Sequence, residues 1–301
     1  MQETVKRAMK LTNKKIIKYT IVGVLFIAAM TVATLFDFKI SSAFTKLKED
    51  TLSITVSSFS VVMEIIGEWP ALIFGSFCGA IIIRALNKAK MTKAYISSAF
   101  IILVIFGLMF YGSISTAKHI SGEISAAAIP ICIAVSAILT AIMLFSVMKI
   151  SEEKAEDFLV PAIICAVVLA ALFLGIQGIK SIFGRIRMRE LVKMGDLSLF
   201  TPWYKPRFFS GSHSFPSGHT ANAVVLALIP IFYGDARDES LKKVRLLTYA
   251  IVAVWSVTMA LTRINAGAHY MSDVLVGAML AFIAVEVGNY VWTRVCEEPS
   301  V

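Results

Sequence analysis

Long apolar runs constrain the fold of this chain more than any other feature of its sequence. Hydrophobic residues make up 57% of the 301 residues and charged residues only 16%, whereas soluble domains have about 45–50% apolar and about 25% charged residues. The apolar residues are gathered in evenly spaced runs, and about 20 of them are enough for a helix to cross a bilayer. The sequence therefore predicts an all-α, polytopic transmembrane helical bundle.

Eight runs predict about eight spans within a single integral membrane domain, residues 1–301. They lie at residues 17–36, 69–86, 94–112, 126–148, 158–178, 219–233, 245–262 and 273–292. A further apolar stretch at 52–66 is short for a span and contains Glu64, so we interpret it as an interfacial or re-entrant helix. Gly67 and Pro70 predict a break before the next span.

The distribution of basic residues predicts the topology. The net charge is +9, and most of the basic residues lie in the N-terminal tail and in short loops. Eight spans with a cytoplasmic N-terminus put the tail and the basic segments 84–93 and 237–245 inside, as the positive-inside rule requires. Counting 52–66 as a span would move segment 84–93 outside. Both termini are therefore predicted to be cytoplasmic, and no recognition module suggests nucleic acid as a partner.

Three polar segments stand out against the apolar background, and the predicted topology puts all of them on the outer face. They comprise Lys180 and Arg187 after the fifth span, Pro216 to His219 at the start of the sixth, and Thr262, Arg263, His269 and Asp273 between the seventh and eighth. Lys and Arg side chains can neutralise phosphate oxygens. Free N–H groups of Ser217 and Gly218 at a helix start would also favour an anion.

The two histidines of these segments suggest chemistry. His269 and Asp273 are four residues apart and share a face if the stretch is helical. Asp273 could then accept the ring proton of His269, which would fix the tautomer and leave the other nitrogen free to attack. His219 is a second imidazole that could protonate a leaving oxygen.

Taken together, the segments resemble the three-part signature of the type 2 phosphatidic acid phosphatase superfamily, the membrane lipid phosphate phosphatases. The family pattern is Lys, six residues, Arg-Pro; then Pro-Ser-Gly-His; then Ser-Arg, five residues, His, three residues, Asp. Met188 replaces the proline and Thr262 the serine, while all spacings are kept. Soluble vanadate-binding haloperoxidases share the signature, but the membrane spans argue against that reading.

The resemblance implies a role for each residue. His269 would be the nucleophile that forms a phosphohistidine, Asp273 would orient it, and His219 would be the general acid and then the base that activates water. The phosphoryl group would be held by Lys180, Arg187, Ser217, Gly218 and Arg263. The phosphatase core would be residues 158–293, the last four spans, while residues 1–157 form N-terminal spans of unknown role. No cofactor or metal is expected, because the cations would neutralise the phosphate and no carboxylate cluster suggests a magnesium site.

The implied activity is that of a membrane-bound hydrolase acting on a lipid phosphate or diphosphate, with its active site extracytoplasmic and surrounded by membrane lipids. A polyprenyl diphosphate, such as the carrier of cell-wall synthesis, is favoured, and phosphatidic acid or phosphatidylglycerophosphate comes next. The alternatives are a lipid phosphotransferase with an acceptor other than water and a non-enzymatic lipid transporter. The sequence leaves the oligomeric state open.

The remaining polar residues receive structural interpretations. Five further basic residues are interpreted as a solvated loop, with binding of a second phosphate or an anionic headgroup as the alternative. They are Arg185, Arg189, Lys193, Lys205 and Arg207. His119 is expected to be structural, and Glu286 is expected to pair within the bundle or at its inner boundary.

Overall fold

Every regular element in the structure, a computed structural model that describes residues 2–86, 92–234 and 239–297, is helical. The helices are α1 (Gln2–Thr45), α2 (Ser58–Ile66), α3 (Trp69–Leu86), α4 (Thr92–Ser121), α5 (Ala128–Met148), α6 (Glu152–Asp157), α7 (Leu159–Phe183), α8 (Met188–Met194), α9 (Gly218–Val224), α10 (Lys242–Asn265) and α11 (Met271–Glu297). Parts of the basic segments 84–93 and 237–245 lie outside the described residues.

Seven helical segments of the described chain are long and apolar enough to cross a membrane. They are Ile16–Thr45, Ser58–Leu86, Ala94–Ser121, Ala128–Met148, Leu159–Met194, Lys242–Asn265 and Met271–Glu297. The predicted fold class, an all-α polytopic bundle, is thereby confirmed. The count is one lower than predicted, because the expected sixth span is the shorter apolar segment Gly218–Tyr233.

The short sixth segment changes its helix type on the way. α9 continues into a 3₁₀ helix, Val225–Tyr233, that contains Pro230. A 3₁₀ helix rises about 2.0 Å per residue, against about 1.5 Å for an α-helix. The whole segment therefore extends about 28 Å, close to the ~30 Å of a bilayer core. The number of residues alone therefore underestimates the length of this segment.

The stretch predicted to be interfacial or re-entrant contains α2. Ser57 caps this helix by accepting a hydrogen bond from the N–H of Ser60 at 3.1 Å. Between α2 and α3 lie only Gly67, which has ordinary helical angles (φ −68°, ψ −22°), and Glu68. The predicted break is thus a short interruption, and α2 forms the first part of the membrane-long segment Ser58–Leu86.

Contacts at both ends of α11 define the direction of the bundle. Near its start, the N–H of Ser272 donates to Asp37 of α1 at 3.0 Å. Towards its other end, Glu286 pairs with Lys18 of α1 at 2.6 Å, which confirms the pairing expected for Glu286. The start of α11 therefore lies beside the second half of α1, and the ends of α7 and α10 and the start of α9 meet there as well.

Gly277 sets the packing distance between α11 and the start of α9. A Cβ atom at this position would collide with the backbone carbonyl oxygen of Ser217. The same two segments are joined by the N–H of Ser217, which donates to the carbonyl of Asp273 at 2.9 Å. Because the obstacle is backbone rather than a flexible side chain, it cannot rotate away.

We expect Gly277→Ala to push α9 away from α11 and to destabilise the protein by about 1–3 kcal/mol, the usual cost of overpacking. Thermal unfolding of the purified protein would measure this loss. Gly175→Ala on α7 is the matched control, because a Cβ there meets nothing within 4 Å. Equal melting temperatures for the two variants would contradict this account of the α9–α11 contact.

Candidate active site

The three predicted segments meet around one cavity at the end of the bundle. The cavity has a volume of about 1010 Å³, and its lining includes five predicted residues, namely Lys180, Arg187, His219, Arg263 and His269. Its lining also includes Glu64, Glu68, His119 and Arg189, for which the sequence suggested no catalytic role. Ser217 and Asp273 lie behind this lining and are completely buried.

His269 lies in the turn between α10 and α11, with its ring held in one orientation. Its Nδ1 atom is 2.6 Å from the carbonyl oxygen of Ser214. A carbonyl can only accept, so Nδ1 carries the proton and Nε2 keeps a free lone pair. Burial lowers the pKa of His269 to about 3, so the ring is neutral near pH 7. These are the properties of a nitrogen nucleophile that needs no prior deprotonation.

Asp273 supports His269 less directly than the spacing predicted. Its Oδ2 atom is 3.6 Å from Nδ1 of His269, which is too long for a hydrogen bond. The predicted direct bond is therefore replaced by the one to the Ser214 carbonyl. Asp273 instead accepts from the hydroxyl of Ser214 at 2.6 Å and from the N–H of Tyr270 at 2.9 Å. It fixes the two segments that hold the imidazole, and its charge remains close to the ring.

The interpretation of Arg185 as a residue of a solvated loop is wrong. Arg185 is 1% exposed. Its guanidinium pairs with Asp273 at 2.6 Å and with Asp37 of α1 at 2.8 Å, and it stacks on the ring of Tyr270 at 4.1 Å. Asp37 could have indicated this buried pairing from the sequence, because a carboxylate in an apolar helix needs a buried partner.

His219 is positioned in the first turn of α9. Its Nε2 atom is 3.2 Å from the backbone carbonyl of Glu64, so Nε2 is the donor and Nδ1 is left free to exchange a proton. Nδ1 lies 3.7 Å from Oε1 of Glu68. His219 and His269 are thus each oriented by a backbone carbonyl.

The start of α9 differs in one respect from the prediction. The N–H of Ser217 is not free for an anion, since it donates to the Asp273 carbonyl at 2.9 Å. The Ser217 side chain caps α9 by accepting from the N–H of Thr220. A side chain at Gly218 would approach the Nζ atom of Lys180 to 3.3 Å, so the glycine leaves room for that amine.

Basic side chains around the cavity carry unused donors. Arg263 is 2% exposed, and its Nη2 atom donates to Glu64 at 2.8 Å. Its Nε and Nη1 atoms are buried and have no hydrogen-bond partner among the described residues. The Nε atom of Arg187 is in the same situation. The hydroxyl of Thr262 donates to the carbonyl of Met259 at 2.9 Å, so its proton is used within α10.

Glu64 and its neighbours form a cluster that sequence reasoning missed. The Glu64 carboxylate lies 2.8 Å from Arg263, 2.9 Å from Arg189 and 3.0 Å from His119. These side chains come from α2, α4, α8 and α10. No short-range pattern could have revealed the cluster, because its members are far apart along the chain. Within the described residues, no group of three or more His, Cys, Asp or Glu side chains is placed to hold a metal ion.

Comparison with known proteins points to one family. Residues 159–295 match the family model of the PAP2 superfamily. Three proteins named phosphatidylglycerophosphatase B are similar in sequence. The Bacillus subtilis protein is 28% identical over 34% of this chain and 50% of its own length. The Haemophilus influenzae protein is 35% identical over 24% and 29%, and the Escherichia coli K12 protein 31% over 31% and 33%.

This chain thus matches at most half the length of these relatives. No solved structure shows a significant match to it. The region matched by the family model contains all eight predicted site residues, from Lys180 to Asp273. Residues 159–295 are thus similar to a PAP2 superfamily domain, in agreement with the resemblance of the three sequence segments.

Proposed function

We propose that this protein is a membrane-bound hydrolase that removes phosphate from a lipid phosphate through a phosphohistidine at His269. One observation carries the proposal: a neutral imidazole with a free Nε2 atom lines the same cavity as buried guanidinium donors that have no partner in the part of the chain that the structure describes. Such an arrangement suits phosphoryl transfer, which depends mainly on positioning and on charge stabilisation.

In the first step of the proposed mechanism, Nε2 of His269 attacks phosphorus, and the bond from phosphorus to the leaving oxygen breaks. His219 enters this step with both ring nitrogens protonated, gives the proton on Nδ1 to that oxygen and becomes neutral, while its Nε2–H stays on the Glu64 carbonyl. In the second step His219 takes a proton from water, the resulting hydroxide attacks phosphorus, and the phosphorus–nitrogen bond breaks. The non-bridging oxygens would be held by Lys180, Arg187 and Arg263, whose positive charges replace those of a metal. No cofactor enters either step.

The proposed substrate class follows from the location of the cavity and from the relatives. A cavity at the ends of membrane-long helices meets lipid headgroups directly. The names of the three relatives place phosphatidylglycerophosphate first among the substrates to test. Polyprenyl diphosphate, favoured by the sequence interpretation, and phosphatidic acid remain predictions. Transfer of the phosphoryl group to an acceptor other than water would use the same residues and is separated by product analysis.

We also propose that the cavity faces the extracytoplasmic side and that both termini are cytoplasmic. The support is the distribution of basic residues, which the positive-inside rule places in the cytoplasm. Helix directions agree, because the C-terminal part of α11 lies beside the N-terminal part of α1 and away from the cavity.

Purified protein should release inorganic phosphate from phosphatidylglycerophosphate, phosphatidic acid or polyprenyl diphosphate, and release should persist in EDTA. The physical reason is that side-chain cations, rather than a divalent ion, neutralise the phosphate. Phosphate release from each lipid, with and without chelator, is the measurement. Absence of release from the whole panel, or loss in EDTA that magnesium restores, would contradict the proposal.

Replacement of His269 and of His219 should impair catalysis in different ways. His269→Ala removes the nucleophile, so turnover should fall at least about a thousandfold and no phosphoenzyme should be trapped by acid quench. The activity of His219→Ala on alkyl phosphates should fall about 10²–10⁴-fold, which is the usual contribution of a general acid. It should recover partly on a substrate whose leaving group needs no proton, and its phosphoenzyme should accumulate. Phosphate located on His219 by mass spectrometry would reverse the assignment.

Cysteine labelling can decide which side the cavity faces. Glu123 follows α4 at the cavity end and is exposed, whereas Glu153 in α6 is exposed at the opposite end. After removal of the four native cysteines, Glu123→Cys should react with an impermeant thiol reagent in intact cells. Glu153→Cys, the matched control, should react only after lysis. The reverse pattern would show that the active site is cytoplasmic.

A further inference from the structure

We propose that Glu64 is a positioning residue of the active site, acting on Arg263 through its carboxylate and on His219 through its backbone carbonyl. The inference rests on the proposed function, since it assigns Glu64 a part in the same reaction. Glu64 lies in α2, outside the region similar to a PAP2 superfamily domain, residues 159–295.

The carboxylate fixes the orientation of the Arg263 guanidinium. Oε1 of Glu64 accepts from Nη2 of Arg263 at 2.8 Å. Because the guanidinium is planar and rigid, holding one nitrogen restricts the directions of the others. The remaining donors of Arg263, Nε and Nη1, are buried and have no partner within residues 2–86, 92–234 and 239–297, and the side chain lines the cavity. They are the donors that a phosphoryl group would use.

An acidic side chain in an anion-binding cavity would ordinarily repel the substrate, but Glu64 is surrounded by basic groups. Besides Arg263, it contacts Arg189 at 2.9 Å and His119 at 3.0 Å. These basic neighbours offset the negative charge of Glu64. Lys180 and Arg187 also line the cavity and add positive charge to it. Glu64 thus orders a donor without cancelling the attraction for phosphate.

The backbone of the same residue acts on the second catalytic group. The carbonyl oxygen of Glu64 accepts from Nε2 of His219 at 3.2 Å. α2 packs against α10, which carries Arg263, and against α4, which carries His119. One turn of α2 therefore orients both the proposed phosphate ligand and the proposed general acid. This assigns the N-terminal half of the chain a function in the active site.

Glu64→Gln tests the proposal, because it keeps the size of the side chain and removes its charge. Losing one charge-assisted hydrogen bond should lower kcat/KM about tenfold to a hundredfold. Inhibition by orthovanadate, a phosphate analogue, should weaken by a similar factor. The matched control is Glu286→Gln, which removes a carboxylate that pairs with Lys18 far from the cavity. This control should keep wild-type activity and wild-type inhibition by orthovanadate.

A double-mutant cycle with Arg263→Lys separates positioning from a general effect on folding. If Glu64 acts through Arg263, adding Glu64→Gln to Arg263→Lys should cause little further loss of kcat/KM. Fully additive losses, or wild-type kinetics and orthovanadate inhibition for Glu64→Gln, would overturn the proposal. If Glu64→Gln does not fold, Glu64→Asp takes its place in the same cycle. Wild-type protein that is inactive on every lipid phosphate would instead refute the proposed function.

Discussion

The buried ion cluster of Arg185, Asp37 and Asp273 is the interaction on which the rest of the site depends. Arg185 is held between the two carboxylates at 2.8 and 2.6 Å, and all three side chains are almost completely buried. Removing one partner from such a cluster leaves an uncompensated charge, at a cost of about 3–5 kcal/mol. The cluster connects α1, the segment after α7 and the start of α11, so it determines where the catalytic turn lies.

Two hydrogen bonds connect this cluster to the imidazole of His269. Asp273 accepts from the hydroxyl of Ser214 at 2.6 Å, and the carbonyl of Ser214 accepts from His269 at 2.6 Å. The orientation of His269, the proposed nucleophile, therefore depends on Asp273, which makes no hydrogen bond to its ring, and on Arg185, which pairs with Asp273. Four of the five N–H groups of Arg185 are used within the protein, by Asp37, Ser272, Asp273 and the backbone of Thr201. Its role is therefore mainly structural.

Sequence reasoning predicted the parts of this structure that depend on local patterns. Apolar run lengths predicted the bundle. The resemblance to the three-part signature implied that Lys180, Arg187, His219, Arg263 and His269 act at one site, and these residues line the same cavity. Sequence reasoning missed the roles of Asp37, Glu64 and Arg185, because their partners are distant in the chain. Arg185 and Asp37 are 148 positions apart, and Arg263 and Glu64 are 199 positions apart. The Ser217 N–H was misjudged for a related reason: a helix start predicts free donors, but its acceptor on α11 is a tertiary contact.

The long separation of these ion pairs has a consequence for biosynthesis. Asp37 and Glu64 are translated before Arg185 and Arg263, with most of the membrane-long helices made in between. Both carboxylates must therefore enter the membrane region before their guanidinium partners exist. The cavity can close only after α10 and α11 have joined the helices that preceded them. The proposed active site is thus assembled late in biosynthesis. Its assembly requires the whole bundle and not only the region similar to a PAP2 superfamily domain, residues 159–295.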